Sequence, residues 1–224
     1  MGRDNQPKER QLRRKAAGEA RRARYERILI VTEGRKTEPL YLEDIRAAFQ
    51  LHSANIAVQP SQRGTAPIQV VEYARHLFEN GDLHRGIRPR SFDRIYAVFD
   101  RDAHDSYFNA LSAAQALDGT LRNDDKQPVR LTAIPSIPCF EVWLLLHFED
   151  LQAPLHRDEV MTRLKQHLPD YAKGAQGVFA CTRDRLDRAT QRAQALAARF
   201  NAHTDPEPFT ALHTLVTHLI TLRA

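Results

Sequence analysis

Short apolar stretches alternate with segments of helical periodicity over the first 150 residues of this chain, and this alternation restricts the fold more than any other feature. Two stretches, residues 27–32 (RILIVT) and 94–99 (RIYAVF), are rich in β-branched and aromatic residues, as is typical of strands buried on both faces. Two further strands are predicted, a weak one at residues 55–60 and another at residues 129–134. Strands that alternate with helices predict an α/β fold, in which helices cover both faces of a mostly parallel sheet.

The helices are predicted where apolar residues recur every three to four positions. In the first part of the chain they span residues 37–50, 67–79, 105–117 and 140–148. After about residue 150 the strand signal ends, and helices are predicted at residues 157–168, 183–200 and 209–222. The glycine-containing segment 171–177 between them is interpreted as a mobile loop.

Three parts are predicted from this pattern. They are a basic, flexible tail over residues 1–24, an α/β core over residues 25–150, and a helical C-terminal part over residues 151–224 that packs on the core. The only cysteines are Cys139 and Cys181, which form no CxxC pair, so neither a disulfide framework nor a zinc knuckle is indicated. No signal peptide and no membrane-spanning stretch is visible, so the cytoplasm is the expected location and no membrane partner is expected.

The positive charge of the chain is concentrated in its tail. Residues 1–24 contain nine Lys or Arg and three acids, whereas the whole chain has a net charge of only +5. A basic arm of this kind is typical of contacts with the phosphate backbone of nucleic acid, but a solubilising terminus has the same composition. Nucleic acid is therefore an expected partner on this evidence, with a plain solvated tail as the alternative.

Acidic residues follow the two best strands at the point where each strand ends. Glu33-Gly34 follows the first strand, and Asp100-Arg101-Asp102 follows the strand at residues 94–99. In an open α/β sheet, side chains at the carboxyl ends of neighbouring parallel strands meet in one crevice. If these two strands are neighbours, Glu33, Asp100 and Asp102 share one site. The alternative is that each acid is a turn residue or a helix N-cap.

Three carboxylates in one crevice need a counter-charge, which a hard divalent cation supplies. Mg²⁺, or Mn²⁺ in its place, takes oxygen ligands and commonly bridges carboxylates to a phosphate. Glu33, Asp100 and Asp102 are therefore candidate metal ligands in a site suited to phosphoryl transfer or phosphodiester hydrolysis. His104, just past Asp102, is the only histidine close to this site in the sequence.

Three further residues lie near the predicted crevice. Lys36 opens the first helix and is either a phosphate ligand or a solvated lysine. Glu38 in the same turn is interpreted as an acid that stabilises the helix by interacting with the positive end of its dipole. Glu141 lies in the first turn of the apolar helix at residues 140–148. It either stabilises this helix through the helix dipole or is a fourth carboxylate of the site, which binds a second metal or acts as a base.

Three segments resemble the motifs of RloB-like proteins. They are ILIVTEGRKTEP at residues 28–39, VFDRD at residues 98–102, and SIPCFEVWLLLHF at residues 136–148, which is similar to the family signature SNPCFExWLLLHF. The resemblance spans about residues 27–222. It implies a Toprim-like fold with a metal-dependent nuclease-like site. Glu33 would be the Toprim glutamate, Asp100 and Asp102 the acidic pair, and Glu141 a further acidic position.

The resemblance also implies a role in bacterial defence against phages, often beside restriction genes. We therefore expect a Mg²⁺- or Mn²⁺-dependent nuclease, with Glu33 or Glu141 as general base and Lys36 stabilising the charge on the phosphate. The alternative is a non-catalytic subunit of a defence complex that binds nucleic acid or a partner protein. A weaker hypothesis is a metal-dependent phosphatase or nucleotide-processing enzyme. Ile137 stands where the family usually has Asn, which points either to an altered site or to a packing role.

Overall fold

The computed structural model describes residues 25–101, 105–203 and 208–222, which form a five-stranded sheet flanked by helices. The strands are β1 (Ile28–Thr32), β2 (Ile56–Pro60), β3 (Arg94–Asp100), β4 (Arg130–Ile137) and β5 (Phe209–Thr210). They lie in the order β2-β1-β3-β4-β5, with β1 to β4 mutually parallel and β5 antiparallel to β4. The predicted α/β class is therefore confirmed, and β1 and β3 are neighbours, which is the condition under which Glu33 and Asp100 share one edge of the sheet.

The helices follow the strands in the predicted alternation. They are α1 (Thr37–Ala48), α2 (Pro67–Asn80), α3 (Tyr107–Leu117), α4 (Glu141–Leu146), α5 (Arg157–His167), α6 (Val178–Thr182), α7 (Leu186–Arg199) and α8 (Leu212–Thr221). Pro67 at the first position of α2 has the fixed φ that a helix start requires and lacks only an N–H that would be unpaired there. None of the helices in the described part of the chain has the length and apolar character needed to cross a bilayer.

The C-terminal part differs from its prediction in two places. The helix predicted over residues 209–222 begins only at Leu212, because Phe209 and Thr210 pair with Ile137 and Ser136 as a short strand. Two residues are too few to show an alternating pattern, and the pairing depends on contacts 74 residues apart, such as the 2.9 Å hydrogen bond between the hydroxyls of Ser136 and Thr210. The short helix α6 was also not predicted, and α7 is preceded by a 3₁₀ turn at Arg183–Arg185.

Two apolar cores lie on opposite faces of the sheet. Along β1, Ile28 and Ile30 face one core while Leu29 and Val31 face the other, so every residue of the strand is buried. The first core contains α1, α4 and the C-terminal helices, and the second contains α2 and α3. The C-terminal helices therefore pack on one face of the sheet, although the division of the chain at residues 24 and 150 stays a prediction.

An ion cluster joins the amino ends of β1 and β3. The guanidinium of the buried Arg27 contacts Asp93 at 2.6 Å, Asp124 at 2.8 Å and the exposed Asp125 at 3.3 Å. Asp93 also accepts a hydrogen bond from the backbone N–H of Arg27, so the start of β1 is tied to the turn before β3. This cluster holds the two strands in register at the end of the sheet opposite to their acidic carboxyl ends.

Candidate functional site

The carboxyl ends of β1 and β3 bring Glu33 and Asp100 together. The backbone N–H of Glu33 donates to the Val98 carbonyl at 2.9 Å, which continues the pairing of the two strands by one residue. The Glu33 side chain then reaches across to β3, where its Oε2 accepts a 2.9 Å hydrogen bond from the backbone N–H of Asp100. Parallel pairing in this register therefore places the two predicted acids at one edge of the sheet.

Asp100 is the last residue of β3 and is buried. It pairs in register with Ser136 of β4, and the next backbone N–H, that of Arg101, donates to the Ser136 carbonyl at 2.9 Å. The strand is thus held by its neighbour up to the point where the acidic motif begins. The predicted ligand Asp102 and the neighbouring His104 lie outside the described residues.

The turn between β1 and α1 is built around a buried carboxyl group, that of Glu38. Glu38 Oε1 accepts a 3.1 Å hydrogen bond from the backbone N–H of Gly34, and Thr32 Oγ1 donates to the Gly34 carbonyl at 2.9 Å. Burial raises the pKa of Glu38, and the nearby charge of Glu141 raises it further. Sequence reasoning assigned Glu38 only to the helix dipole, whereas its carboxyl group lines the site.

Glu141 is the most deeply buried carboxylate of the site, with 1% of its surface exposed. It opens α4 immediately after the turn that follows β4. Its Oε1 accepts a 3.1 Å hydrogen bond from the Tyr171 hydroxyl and lies 3.5 Å from Lys173 Nζ. Its Oε2 is buried and has no hydrogen-bond partner among the described residues. A buried carboxylate oxygen left without a donor is costly, which indicates that a ligand or solvent satisfies it.

These side chains surround one cavity of about 350 Å³. Acidic and basic groups both contribute to its walls. The lining residues are Glu33, Gly34, Arg35, Lys36, Thr37, Glu38, Thr65, Asp100, Phe140, Glu141, Arg157 and Lys173. The cavity therefore contains four of the five predicted site residues, Glu33, Lys36, Asp100 and Glu141, and their catalytic roles stay predictions.

Sequence reasoning missed the segment that closes one side of this cavity. Residues 168–177 form what we call the α5–α6 loop, and the sequence pattern predicts only that residues 171–177 of it are mobile. Tyr171 and Lys173 of this loop contact Glu141, and the backbone N–H of Gly174 donates to Thr37 Oγ1 at 3.0 Å. The sequence offers little to reveal these contacts, because they join residues 30 or more positions apart without any shared pattern.

Position 137, where the chain departs from the family pattern, belongs to the core. Ile137 is 1% exposed, pairs with Phe209 of β5, and lies in the apolar core on the side of the sheet that contains α2 and α3. It does not line the cavity. Of the two interpretations, a packing role at this position agrees with its burial.

The donor set suits a hard divalent cation in its chemistry. Glu33, Asp100 and Glu141 offer only carboxylate oxygens, which Mg²⁺ and Mn²⁺ favour, and one oxygen of Glu141 is buried without a donor. Within the described ranges, however, no group of three His, Cys, Asp or Glu is arranged closely enough to hold an ion. A complete ligand set would thus have to include Asp102, outside those ranges, or a change in side-chain conformation.

Comparison with known proteins identifies one family. The family model described as RloB-like protein matches residues 28–219, which is most of the chain. The match includes β1, β3, α4 and the α5–α6 loop, so every described residue assigned to the cavity lies within it. No curated protein and no solved structure matches the chain.

Proposed function

This chain belongs to the RloB-like protein family, and we propose that it is a divalent-metal-dependent nuclease that hydrolyses phosphodiester bonds of DNA or RNA. The observation that carries the proposal is the convergence of Glu33, Asp100 and Glu141 on one cavity at the carboxyl edge of the sheet. We further propose that the protein acts in the cytoplasm in bacterial defence against phages, with a partner protein of the defence system. We also propose that its sheet has a Toprim-like fold.

The mixed charge of the cavity supports a phosphodiester as the substrate. Carboxylates alone would repel a phosphate, but Arg35, Lys36, Arg157 and Lys173 also line the walls. Lys36 stands at the N-cap of α1, where its ammonium group and the positive end of the helix dipole both favour an anion. A nucleic-acid phosphate could therefore bind between these cations and a metal held by the acids.

In this proposal Glu33 and Asp100 would hold the metal together with Asp102. Bound Mg²⁺ or Mn²⁺ would polarise the phosphoryl oxygen and promote ionisation of a water molecule. Glu33 Oε2 already accepts the Asp100 N–H, whereas Glu141 Oε2 is buried without a donor. This difference favours Glu141 over Glu33 as the base that takes the proton of the attacking water. Lys36 would stabilise the charge that develops on the phosphate.

The test is cleavage of labelled single-stranded DNA, double-stranded DNA and tRNA, each with Mg²⁺, Mn²⁺ or EDTA at low salt. Wild type should cleave at least one substrate only when metal is present, and Asp100→Ala should reduce cleavage to background. Asp125→Ala is the matched control, since Asp125 is 74% exposed at the opposite end of the sheet. Metal-dependent cleavage that survives Asp100→Ala would contradict the proposed site.

A second function, binding without catalysis, is favoured by one observation. No described group of three acids or other ligands is close enough to hold a metal, so the chain could instead be a subunit that binds nucleic acid or a partner protein. Tight, metal-independent binding without cleavage, unaffected by Asp100→Ala, would support this function. Loss of that binding when residues 1–24 are deleted would assign it to the basic tail. Hydrolysis of mononucleotides would instead point to a phosphatase.

A further inference from the structure

The α5–α6 loop is attached to the candidate site at three points. The Tyr171 hydroxyl donates to Glu141, Lys173 Nζ lies 3.5 Å from the same carboxylate, and the Gly174 N–H donates to Thr37. Gly174 has a φ of +80°, and a Cβ placed on it would lie 2.9 Å from Lys36 Cβ. Only glycine combines this backbone conformation with so close an approach to α1. The loop is thus built to lie against the site.

Tyr171 makes the most specific of these contacts. Its ring is buried in the apolar core, so its hydroxyl needs a partner inside the protein, and Glu141 Oε1 at 3.1 Å is that partner. Burial raises the pKa of Tyr171, and the charge of Glu141 raises it further. The hydroxyl therefore keeps its proton and acts as a donor. Lys173 is different, because its side chain is 51% exposed and its contact with Glu141 is therefore weakened by solvent.

We propose that Tyr171 is a positioning residue for Glu141, a role that rests on the proposed nuclease function. By donating to Oε1 from the core side, Tyr171 fixes the orientation of the carboxylate. Oε2 is then left as the buried carboxylate oxygen that has no donor among the described residues. The C-terminal part of the chain thereby supplies a residue on which the chemistry at the sheet edge depends.

The first test compares Tyr171→Phe, which removes only the hydroxyl, with Tyr73→Phe as the control. Tyr73 is also buried, but its hydroxyl contacts Arg85 and its ring packs in the core on the other face of the sheet. Tyr171→Phe should lower kcat about ten- to a hundredfold, which is part of the roughly 10²- to 10⁴-fold that a positioned general base contributes, with KM within about twofold. Tyr73→Phe should retain wild-type values. Wild-type kcat in Tyr171→Phe would overturn the proposal.

A second comparison shows whether Tyr171 acts through Glu141. Glu141→Gln should lower kcat strongly, and adding Tyr171→Phe to it should cause no further loss, since the residue that Tyr171 positions is already impaired. If the two losses multiply, Tyr171 acts independently of Glu141 and the proposed role is wrong. A purely structural contribution of the tyrosine ring would not produce this non-additivity, because the ring is retained in every variant.

Thermal unfolding tests the contact without any use of activity. Tyr171→Phe should lower Tm by about 2–4 °C in the wild-type background and leave Tm unchanged in Glu141→Met, which offers no acceptor. Additive shifts would overturn the contact, whether or not the chain cleaves nucleic acid. Non-additive shifts in a chain that cleaves no substrate would overturn the nuclease function and the positioning role that rests on it, leaving only a structural hydrogen bond.

Discussion

Gly34 and Glu38 lie so close together that a Cβ placed on Gly34 would stand 2.0 Å from Glu38 Oε2. The hydrogen bond from the Gly34 N–H to Glu38 Oε1 holds the pair in this position. The turn that places Glu33 at the cavity is therefore shaped by the Glu38 carboxyl group, which packs directly against the backbone of Gly34. Substitution at either position should change the site without changing its predicted metal ligands.

Gly34→Ala should destabilise the protein and impair the site, because the new methyl group overlaps the buried Glu38 side chain. Forced overpacking of this kind costs about 1–3 kcal/mol. Urea unfolding should show this loss of stability when Gly34→Ala is compared with wild type. The same substitution should cost less in a Glu38→Ala background, because the side chain that the new methyl group overlaps has been shortened there. Full stability in the single variant would mean that Glu38 can move away from the turn.

The raised pKa of Glu38 gives a pH-dependent prediction. Folding raises the pKa of this carboxyl group above its ordinary value of 4.5, so the folded protein binds a proton that the unfolded chain releases between these two values. Burial of Glu38 therefore costs no stability through this ionisation below about pH 4.5. The cost grows as the pH rises and reaches its full value above the raised pKa. Glu38→Gln should therefore be more stable than wild type at neutral pH, with the difference shrinking as the pH falls through this window.

Unfolding in urea at a series of pH values measures this difference. Glu72→Gln is the matched control, because Glu72 is exposed on α2 and does not line the cavity. A difference between Glu38→Gln and wild type that stays constant with pH would show that Glu38 is not held in a desolvated environment.

His147 gives a prediction of opposite sign. Burial lowers its pKa from 6.5 to about 4, and its Nδ1 contacts the Trp143 carbonyl at 2.9 Å while Nε2 is buried with no hydrogen-bond partner among the described residues. Between these two values the unfolded chain binds a proton that the folded protein does not. Wild type should therefore lose up to about 3 kcal/mol of stability from this group as the pH falls from 7 to 4.

The measurement compares wild type with His147→Gln, which cannot be protonated in this range. The variant should be less stable than wild type at pH 7, but it should lack this part of the acid-induced loss. His203→Gln changes an exposed histidine and should follow wild type. Equal pH dependence in wild type and His147→Gln would mean that His147 becomes protonated without leaving its buried position.

Part of the fold and site was predictable from local sequence patterns. Periodicity located β1 to β4 and most helices, and the rule that neighbouring parallel strands share a carboxyl edge brought Glu33 and Asp100 together. The strand β5 could not be predicted in this way, since its two residues are ordered by pairing with β4. The functional surroundings of Glu141 were equally hidden, because Tyr171 reaches it from a loop 30 residues away.

Glu38 illustrates a different limit of sequence reasoning. An acid in the first turn of a helix is accounted for by the helix dipole alone, so no further role is suggested. What distinguishes Glu38 is that its side chain turns back onto Gly34 and is buried at the cavity. This depends on the direction in which α1 leaves the strand, a property set by packing of the whole core.

The basic tail should supply affinity for nucleic acid through charge. Residues 1–24 contain nine of the Lys and Arg residues of the chain, and each phosphate that the protein no longer neutralises reduces the slope of log K against log salt by about 0.9 on duplex and 0.7 on single strands. Deletion of residues 1–24 should weaken binding and flatten this slope, while kcat at saturating nucleic acid stays at the wild-type value.

The matched control is a full-length chain in which the nine tail cations are changed to Gln, which should behave like the deletion if charge is the cause. If the deleted chain binds with an unchanged salt slope, the phosphate contacts belong to the cations of the cavity. If the Gln-substituted chain binds like wild type, the tail does not act through its charge.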